Sequence, residues 1–251
     1  MNEKGEISCM ANQNVFRRYE LKYMLTLEQK EKVLKAMEPY MKLDKYGRTV
    51  IRNIYFDTDN YRLIRQSIEK PAYKEKLRIR SYSQAEPDSE VFVELKKKYK
   101  HVVYKRRIAM PEIKAMEWVC NREHCERETQ IAEEIEYFVK YYENLHPAVF
   151  LSYEREAYYS KDGSDFRVTF DDHILFREND LSLEAEIGGI PILEEGKVLM
   201  EIKCSGGIPM WMTQILSEEH IYKTSFSKYG TAYTTVIYPR LKEKNKDGSI
   251  I

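Results

Sequence analysis

Three neighbouring segments, YKEKLRIRSY (73–82), EVFVELKKK (90–98) and VVYKRRIAM (102–110), alternate charged and apolar residues with a period of two. That period belongs to β-strands, whose successive side chains point to opposite faces. Lys74, Lys76, Arg78 and Arg80 therefore share one face while Leu77 and Ile79 take the other. On the next strand Glu94, Lys96 and Lys98 oppose Val91, Val93 and Leu95, and on the third Lys105 and Arg107 share a parity. The links between them are QAEPDS, with turn-forming Pro and Asp, and YKH, which leaves room only for a hairpin. Hairpins join antiparallel strands. The three strands thus build a sheet with one apolar and one strongly cationic face.

The whole chain of 251 residues is neutral, with 41 basic and 41 acidic residues, but the charges are segregated. Residues 70–107 hold 12 basic and 5 acidic groups, whereas 108–145 hold 4 basic and 9 acidic ones. A solvated face ordinarily mixes signs, so the asymmetry points to a local anion site rather than a general positive coat. Elsewhere, 15–24 and VIRNIYFDT read as strands and NYRLIRQSIEK as a short helix. Thr26 caps a helix with Gln29 completing a capping box, Leu27, Leu34, Met37 and Met41 form its apolar stripe, and Pro39 ends or kinks it. ERETQIAEEIEYFVKYYENL is the clearest helix, with Ile131, Ile135, Phe138, Val139, Tyr142 and Leu145 at helical spacing and acidic residues opposite. PAVFLSYEREAYYS and DFRVTFDDHILF pair through Asp162-Gly163. LSLEAEI and KVLMEIKC complete the strands, and 210–238 reads as helical with Trp211 as a packing residue.

Eight or nine antiparallel strands with a few helices most readily close into a barrel or stack as a sandwich. Helices need an apolar surface, and the apolar parity supplies it on the outside of a barrel, turning the cations inward. Such a lumen repels itself unless carboxylates and a bound polyanion offset the charge. Glu-x-Lys recurs on three strand segments, as Glu20/Lys22, Glu94/Lys96 and Glu201/Lys203. Those carboxylates suit Mg²⁺ or Mn²⁺, which take one or two carboxylates together with phosphate oxygens. Arg155 and Arg167 add guanidinium forks that match phosphate geometry.

The ordered set RYELKY, RNIYFDT, YKEKLRIRSY, VFVELKKK, VVYKRR, SYEREAY, RVTFD, MEIK and SFSKYG resembles the polyphosphate polymerase domain of the vacuolar transporter chaperone (VTC) family. That family belongs to the triphosphate tunnel superfamily, also called CYTH-like, and the likeness spans about Phe16 to Tyr238. It implies an α+β fold: an antiparallel eight-stranded β-barrel with helices packed outside. It also implies transfer of the terminal phosphate of ATP to a polyphosphate chain, assisted by Mn²⁺ or Mg²⁺. Carried over residue by residue, Arg78, Arg80, Lys96, Lys203 and Lys228 are catalytic. Lys22, Arg52, Lys76, Lys98, Lys105, Arg107, Arg155, Arg167 and Ser227 bind phosphate, and Glu201, with Glu94 and Glu20, holds the metal. Two departures mark the chain. Arg18-x-Glu20-x-Lys22 replaces the Glu-x-Glu-x-Lys of related hydrolases and cyclases, and Ser225 stands where polymerases often carry a basic residue.

Domain boundaries are expected as a disordered tail over 1–14, one tunnel domain over 15–240 and a charged tail over 241–251. The alternatives are a triphosphate hydrolase of the same superfamily and a non-catalytic polyphosphate-binding module. The 20 tyrosines fall mostly at core positions, which argues against nucleic acid as the partner. The resemblance implies ATP and polyphosphate or tripolyphosphate as ligands, and since no apolar run approaches the ~20 residues of a membrane helix, any membrane link is expected through a partner protein. A polar start without a signal-peptide core, and four scattered cysteines without metal-site spacing, suggest a cytoplasmic chain.

Overall fold

The computed structural model describes residues 15–16, 19–100, 102–125 and 129–246; the expected tail over 1–14 and Arg18 lie outside them. The chain is α+β. Its strands, in order, are β1 (Val15–Phe16), β2 (Tyr19–Thr26), β3 (Met41–Asp57), β4 (Tyr73–Ser81), β5 (Glu90–Tyr99), β6 (Val102–Pro111), β7 (His146–Ser160), β8 (Arg167–Arg177), β9 (Ile190–Pro191), β10 (Lys197–Cys204) and β11 (Lys223–Thr224). All pair antiparallel in one sheet ordered β1-β6-β5-β4-β3-β7-β8-β10-β2-β11, with β9 on β8.

The expected eight-stranded closed barrel is not confirmed. Among the described residues the sheet has eleven strands, three of them only two residues long, and its ladder is not closed. One edge of β2 is taken by β11 at Tyr23 and Lys22. The sheet nevertheless curls round. β1 lies on β6 and β2 on β10, and Phe16 and Tyr19 are three peptide steps apart, at most about 11 Å. Lys96 on β5 also reaches Glu20 on β2 at 3.1 Å.

The apolar parity faces outward and is covered by helices, as the alternation requires. Leu77, Ile79, Val91, Val93, Leu95 and Ile108 pack under α3 (Glu112–Cys120) and α4 (Gln130–Tyr141), with buried Trp118 among them. Val168, Phe170, Val198, Met200 and Ile202 pack under α1 (Leu27–Met37) and α5 (Met210–Glu218). The capping box of α1 is present, with Thr26 Oγ1 accepting from Gln29 N at 3.1 Å and Gln29 Oε1 from Thr26 N at 3.0 Å. The helix ends at Glu38, before Pro39. Of the expected stripe Met37 is buried and Leu34 packs beside it, joined by Val33, whereas Leu27 is 55% exposed and Met41 belongs to β3.

LSLEAEI is not a strand. Leu183 is buried, but the carbonyls of Glu184 and Glu186 accept from the side chains of Gln84 and Arg177, so no ladder is left to make. Of the expected helical stretch 210–238, only α5 lies outside the sheet. The next pieces are α6 (Lys228–Ala232), a π-helical turn (Tyr233–Ile237) and α7 (Tyr238–Lys246), which runs on into the expected tail. Tyr229, Tyr233 and Ile237 pack on Ile51, Leu151 and Leu199, residues of the inner face. There they meet α2 (Arg62–Ile68) through Ile64.

Because Met37 is 1% exposed and Leu27 is largely solvated, Met37→Ala should cost about 2–5 kcal/mol. Leu27→Ala should stay within about 0.5 kcal/mol. Urea denaturation of both variants measures the difference; equal losses would contradict the packing of α1.

Candidate active site

Antiparallel register sets the inner face in rows. Lys76, Lys96 and Lys105 are cross-strand partners, and Arg78, Glu94 and Arg107 form the row beside them. Glu94 is 1% exposed. Arg78 Nε and Nη2 donate to its Oε2 at 2.9 and 2.6 Å, Lys105 Nζ lies 2.7 Å from Oε1, and Arg107 Nε stands at 3.7 Å. Burial pushes this carboxyl up, but Arg78, Arg80 and Lys105 outweigh it and hold the group well below the ordinary range. The arginines also carry phenols: Arg78 Nη1 donates to Tyr55 Oη at 2.9 Å and Arg80 Nη2 to Tyr153 Oη at 3.0 Å. Arg80 Nε is fixed by Asn53 Oδ1 at 2.9 Å.

The facing wall comes from β2, β7, β8 and β10. Arg155 grips buried Asp171 with two bonds of 2.6 Å, and Lys228 Nζ reaches the same carboxylate. Four cations surround Glu201: Lys203 at 3.0 Å, Lys22 at 3.4 Å, Arg155 at 3.8 Å and Lys228 at 4.0 Å. Burial opposes ionisation of Glu201, yet these cations, Lys203 foremost, keep it well below the usual carboxylate range. Burial likewise works against Glu20, but Lys96 and Lys203 hold it ionised.

The segment before α6 supplies the last part. Lys22 Nζ donates to Phe226 O at 2.6 Å, and Lys76 Nζ to Ser227 Oγ at 3.3 Å. Burial and the cations Lys74, Lys22 and Lys96 lower Lys76 to about 8, against the opposing pull of Tyr55.

Most of the residues expected from sequence thus share one interior: Lys22, Lys76, Arg78, Arg80, Lys96, Lys105, Arg107, Arg155, Lys203, Ser227, Lys228, Glu20, Glu94 and Glu201. Lys98 lies beside Lys74, and Arg167 stacks over Tyr159 with 4.6 Å to the ring centroid. Arg52 is not among them. Asn53 and Tyr55 point to the interior arginines, so Arg52 takes the outer face, where its charged neighbours are Glu186 and Arg177. Ser225 is exposed. Asp171, Asn53, Tyr55 and Tyr153 belong to the site although the motifs that contain them assigned them no role. For Asp171 the signal was available, since Arg167, Thr169 and Asp171 share a parity. Glu154, Asp172 and His173 come close enough together to hold a cation, but they sit opposite Arg155's parity and are bound by Arg48.

A family model described as the VTC domain matches residues 17–237. A crystal structure from Bacillus halodurans, provisionally assigned as an adenylate cyclase, superposes with a TM-score of 0.54 at 15% identity, covering 85% of this chain and 95% of its own. An adenylyl cyclase-type protein from Hippeastrum, described as having a dominant triphosphatase activity, gives 0.52 at 14% identity over 86% and 94%. These two likenesses concern the fold. Among curated proteins no sequence match is found.

Lys76 makes the site proton-linked. A lysine ordinarily keeps its proton to about pH 10.4, so from about pH 8 to about 10.4 the folded protein binds fewer protons than the unfolded one. Stability therefore gains from Lys76 as pH rises through that window, and carries its full cost below it. A polyanion reverses the shift. Tripolyphosphate binding at pH 8.5 should take up protons, and affinity should fall as pH rises through 8. Calorimetry in buffers of different ionisation enthalpy reads the uptake, and Lys76→Arg, permanently charged, should remove the share owed to Lys76. Binding without proton uptake would refute the linkage.

Proposed function

The chain belongs to the VTC domain family, and from that premise we propose that it is a polyphosphate polymerase, moving the terminal phosphate of ATP onto an inorganic polyphosphate chain. The observation that carries this reading is the convergence of cations from β2, β4, β5, β6, β7 and β10 on one interior. Only part of their charge is answered by Glu20, Glu94, Asp171 and Glu201. A densely anionic ligand supplies the remainder.

Phosphoryl transfer spreads negative charge over equatorial oxygens, so positioned cations do most of the work and no covalent intermediate is required. In this reading Arg78, Arg80, Lys96, Lys203 and Lys228 stabilise the transferring group. Lys22, Lys76, Lys98, Lys105, Arg107, Arg155, Arg167 and Ser227 hold the donor and acceptor phosphates. Arg78 and Arg80 are preorganised for this by Glu94, Tyr55, Asn53 and Tyr153. Arg52 is left out because it lies on the other face.

The carboxylates also fit a hard divalent cation, though not equally. Asp171 is occupied by the Arg155 fork and Lys228, and Glu94 is enclosed by Arg78 and Lys105. Glu201 has looser contacts, three of its four cations standing at 3.4 to 4.0 Å. Glu20, the cross-strand partner of Lys203, is only partly covered and close enough to Glu201 for the two carboxylates to repel. Glu201 with Glu20 would therefore hold Mn²⁺ or Mg²⁺, completed by phosphate oxygens. When bound, the metal neutralises charge on the transferring phosphates.

Hydrolysis is the second reading, favoured by the shared fold of the Hippeastrum triphosphatase. It differs only in admitting water in place of the acceptor phosphate. Among the described residues no helix is long and apolar enough to cross a membrane.

The purified protein with ATP and Mn²⁺ should yield ADP and a ladder of polyphosphate on a gel. Free phosphate without a ladder would select hydrolysis; neither product would overturn catalysis in favour of binding alone. Arg80→Ala should lower turnover at least ~100-fold, the scale of losing one preorganised charge-stabilising donor, and near-normal rates would remove Arg80 from the machinery.

A further inference from the structure

Ser227 and Lys228 reach the interior from the start of α6, a helix of five residues. It runs on without a break into the π-helical turn and α7, so its first turn is placed by that run and by the side chains that anchor it. Its buried anchor is Tyr229, 3% exposed, whose hydroxyl donates to Asp57 Oδ2 at 3.0 Å. Asp57, at the end of β3, is fully buried. Its Oδ1 accepts from Thr58 N at 2.9 Å and Leu63 N at 2.8 Å, and its Oδ2 from Ile64 N at 3.0 Å.

Asp57 therefore starts α2 as well, since the residue at that helix's formal cap, Tyr61, makes no side-chain cap bond. Helix α2 in turn accepts Lys74 Nζ on Ser67 O at 3.0 Å. One carboxylate thus seats both helical pieces that touch the lumen cations. Tyr229 also packs at a tilt on Tyr55, ring centroids 5.3 Å apart, and Tyr55 accepts from Arg78.

We propose that Tyr229, held by Asp57, is a positioning residue that sets how α6 presents Ser227 and Lys228 to bound phosphate. A hydroxyl remote from the ligand then controls the affinity contributed by Lys228. The inference rests on the phosphate-binding reading of the lumen.

Metal-free tripolyphosphate binding, measured by calorimetry on the full chain, tests it with four proteins: wild type, Tyr229→Phe, Lys228→Met and the double variant. Lys228→Met should weaken binding at least about tenfold, the scale of a hydrogen bond to a charged group, and Tyr229→Phe, acting through it, about fivefold. In the Lys228→Met background Tyr229→Phe should cost less than about twofold, because the two effects are coupled. Its effect on melting temperature should be equal in both backgrounds. An equal affinity loss in both backgrounds, or a lowered melting temperature with unchanged affinity, overturns the positioning role. Unchanged binding in Lys228→Met overturns instead the reading beneath it. Should Tyr229→Phe fail to fold, Asp57→Asn serves in its place. It keeps the shape, but its one carbonyl oxygen serves only two of the four donors to Asp57, and the same coupling to Lys228 is expected.

Discussion

Placing carboxylates between the cations of the inner face is what allows the sheet to curl around them. Two unit charges a few ångströms apart interact strongly once water is displaced, and the β4–β6 rows alone bring Arg78, Lys105 and Arg107 around one point. Glu94 occupies that point. Asp171 does the same for Arg155 and Lys228, and Glu201 for Lys203 and Lys22. Each carboxylate is buried and each is outnumbered, so the interior is held together yet left short of negative charge. Lys76, with a hydroxyl and other cations for neighbours, is where that deficit is most concentrated. Stability and affinity are set by the same imbalance: a better-neutralised lumen would fold more comfortably and attract a polyanion less.

The features legible in the sequence were those that one face of one element could express. Alternation on β4, β5 and β6 separated lumen from core, the 3.6 spacing of Ile135, Phe138 and Val139 marked α4, and Thr26 with Gln29 marked the start of α1. What failed depended on partners distant in the chain. In RNIYFD both faces carry large apolar residues, so parity could not say that Asn53 faces in and Arg52 out. LSLEAEI alternates well, but its carbonyls are claimed by side chains of Arg177 and Gln84. The strands β1, β9 and β11 are too short to show any period. Among site residues, the Glu-x-Lys pairs were visible, whereas Tyr55 and Tyr153 were hidden among tyrosines that serve the core.

The inner face is cationic over part of its area and apolar at Ile51, Leu151 and Leu199, where Tyr229, Tyr233 and Ile237 pack. The pairing of β2 with β10 joins residues 19–26 to 197–204. Both facts bear on the order of events during synthesis. A ribosome delivers the N-terminal strand first, yet its ladder partner arrives roughly 170 residues later, and the residues that fill the interior later still. Until then the β4–β6 face, with its excess of lysine and arginine, has neither its facing wall nor its plug. The nascent chain therefore presents a cationic surface to a crowded, polyanion-rich environment, and the last-made tenth of the described chain converts that surface into an interior.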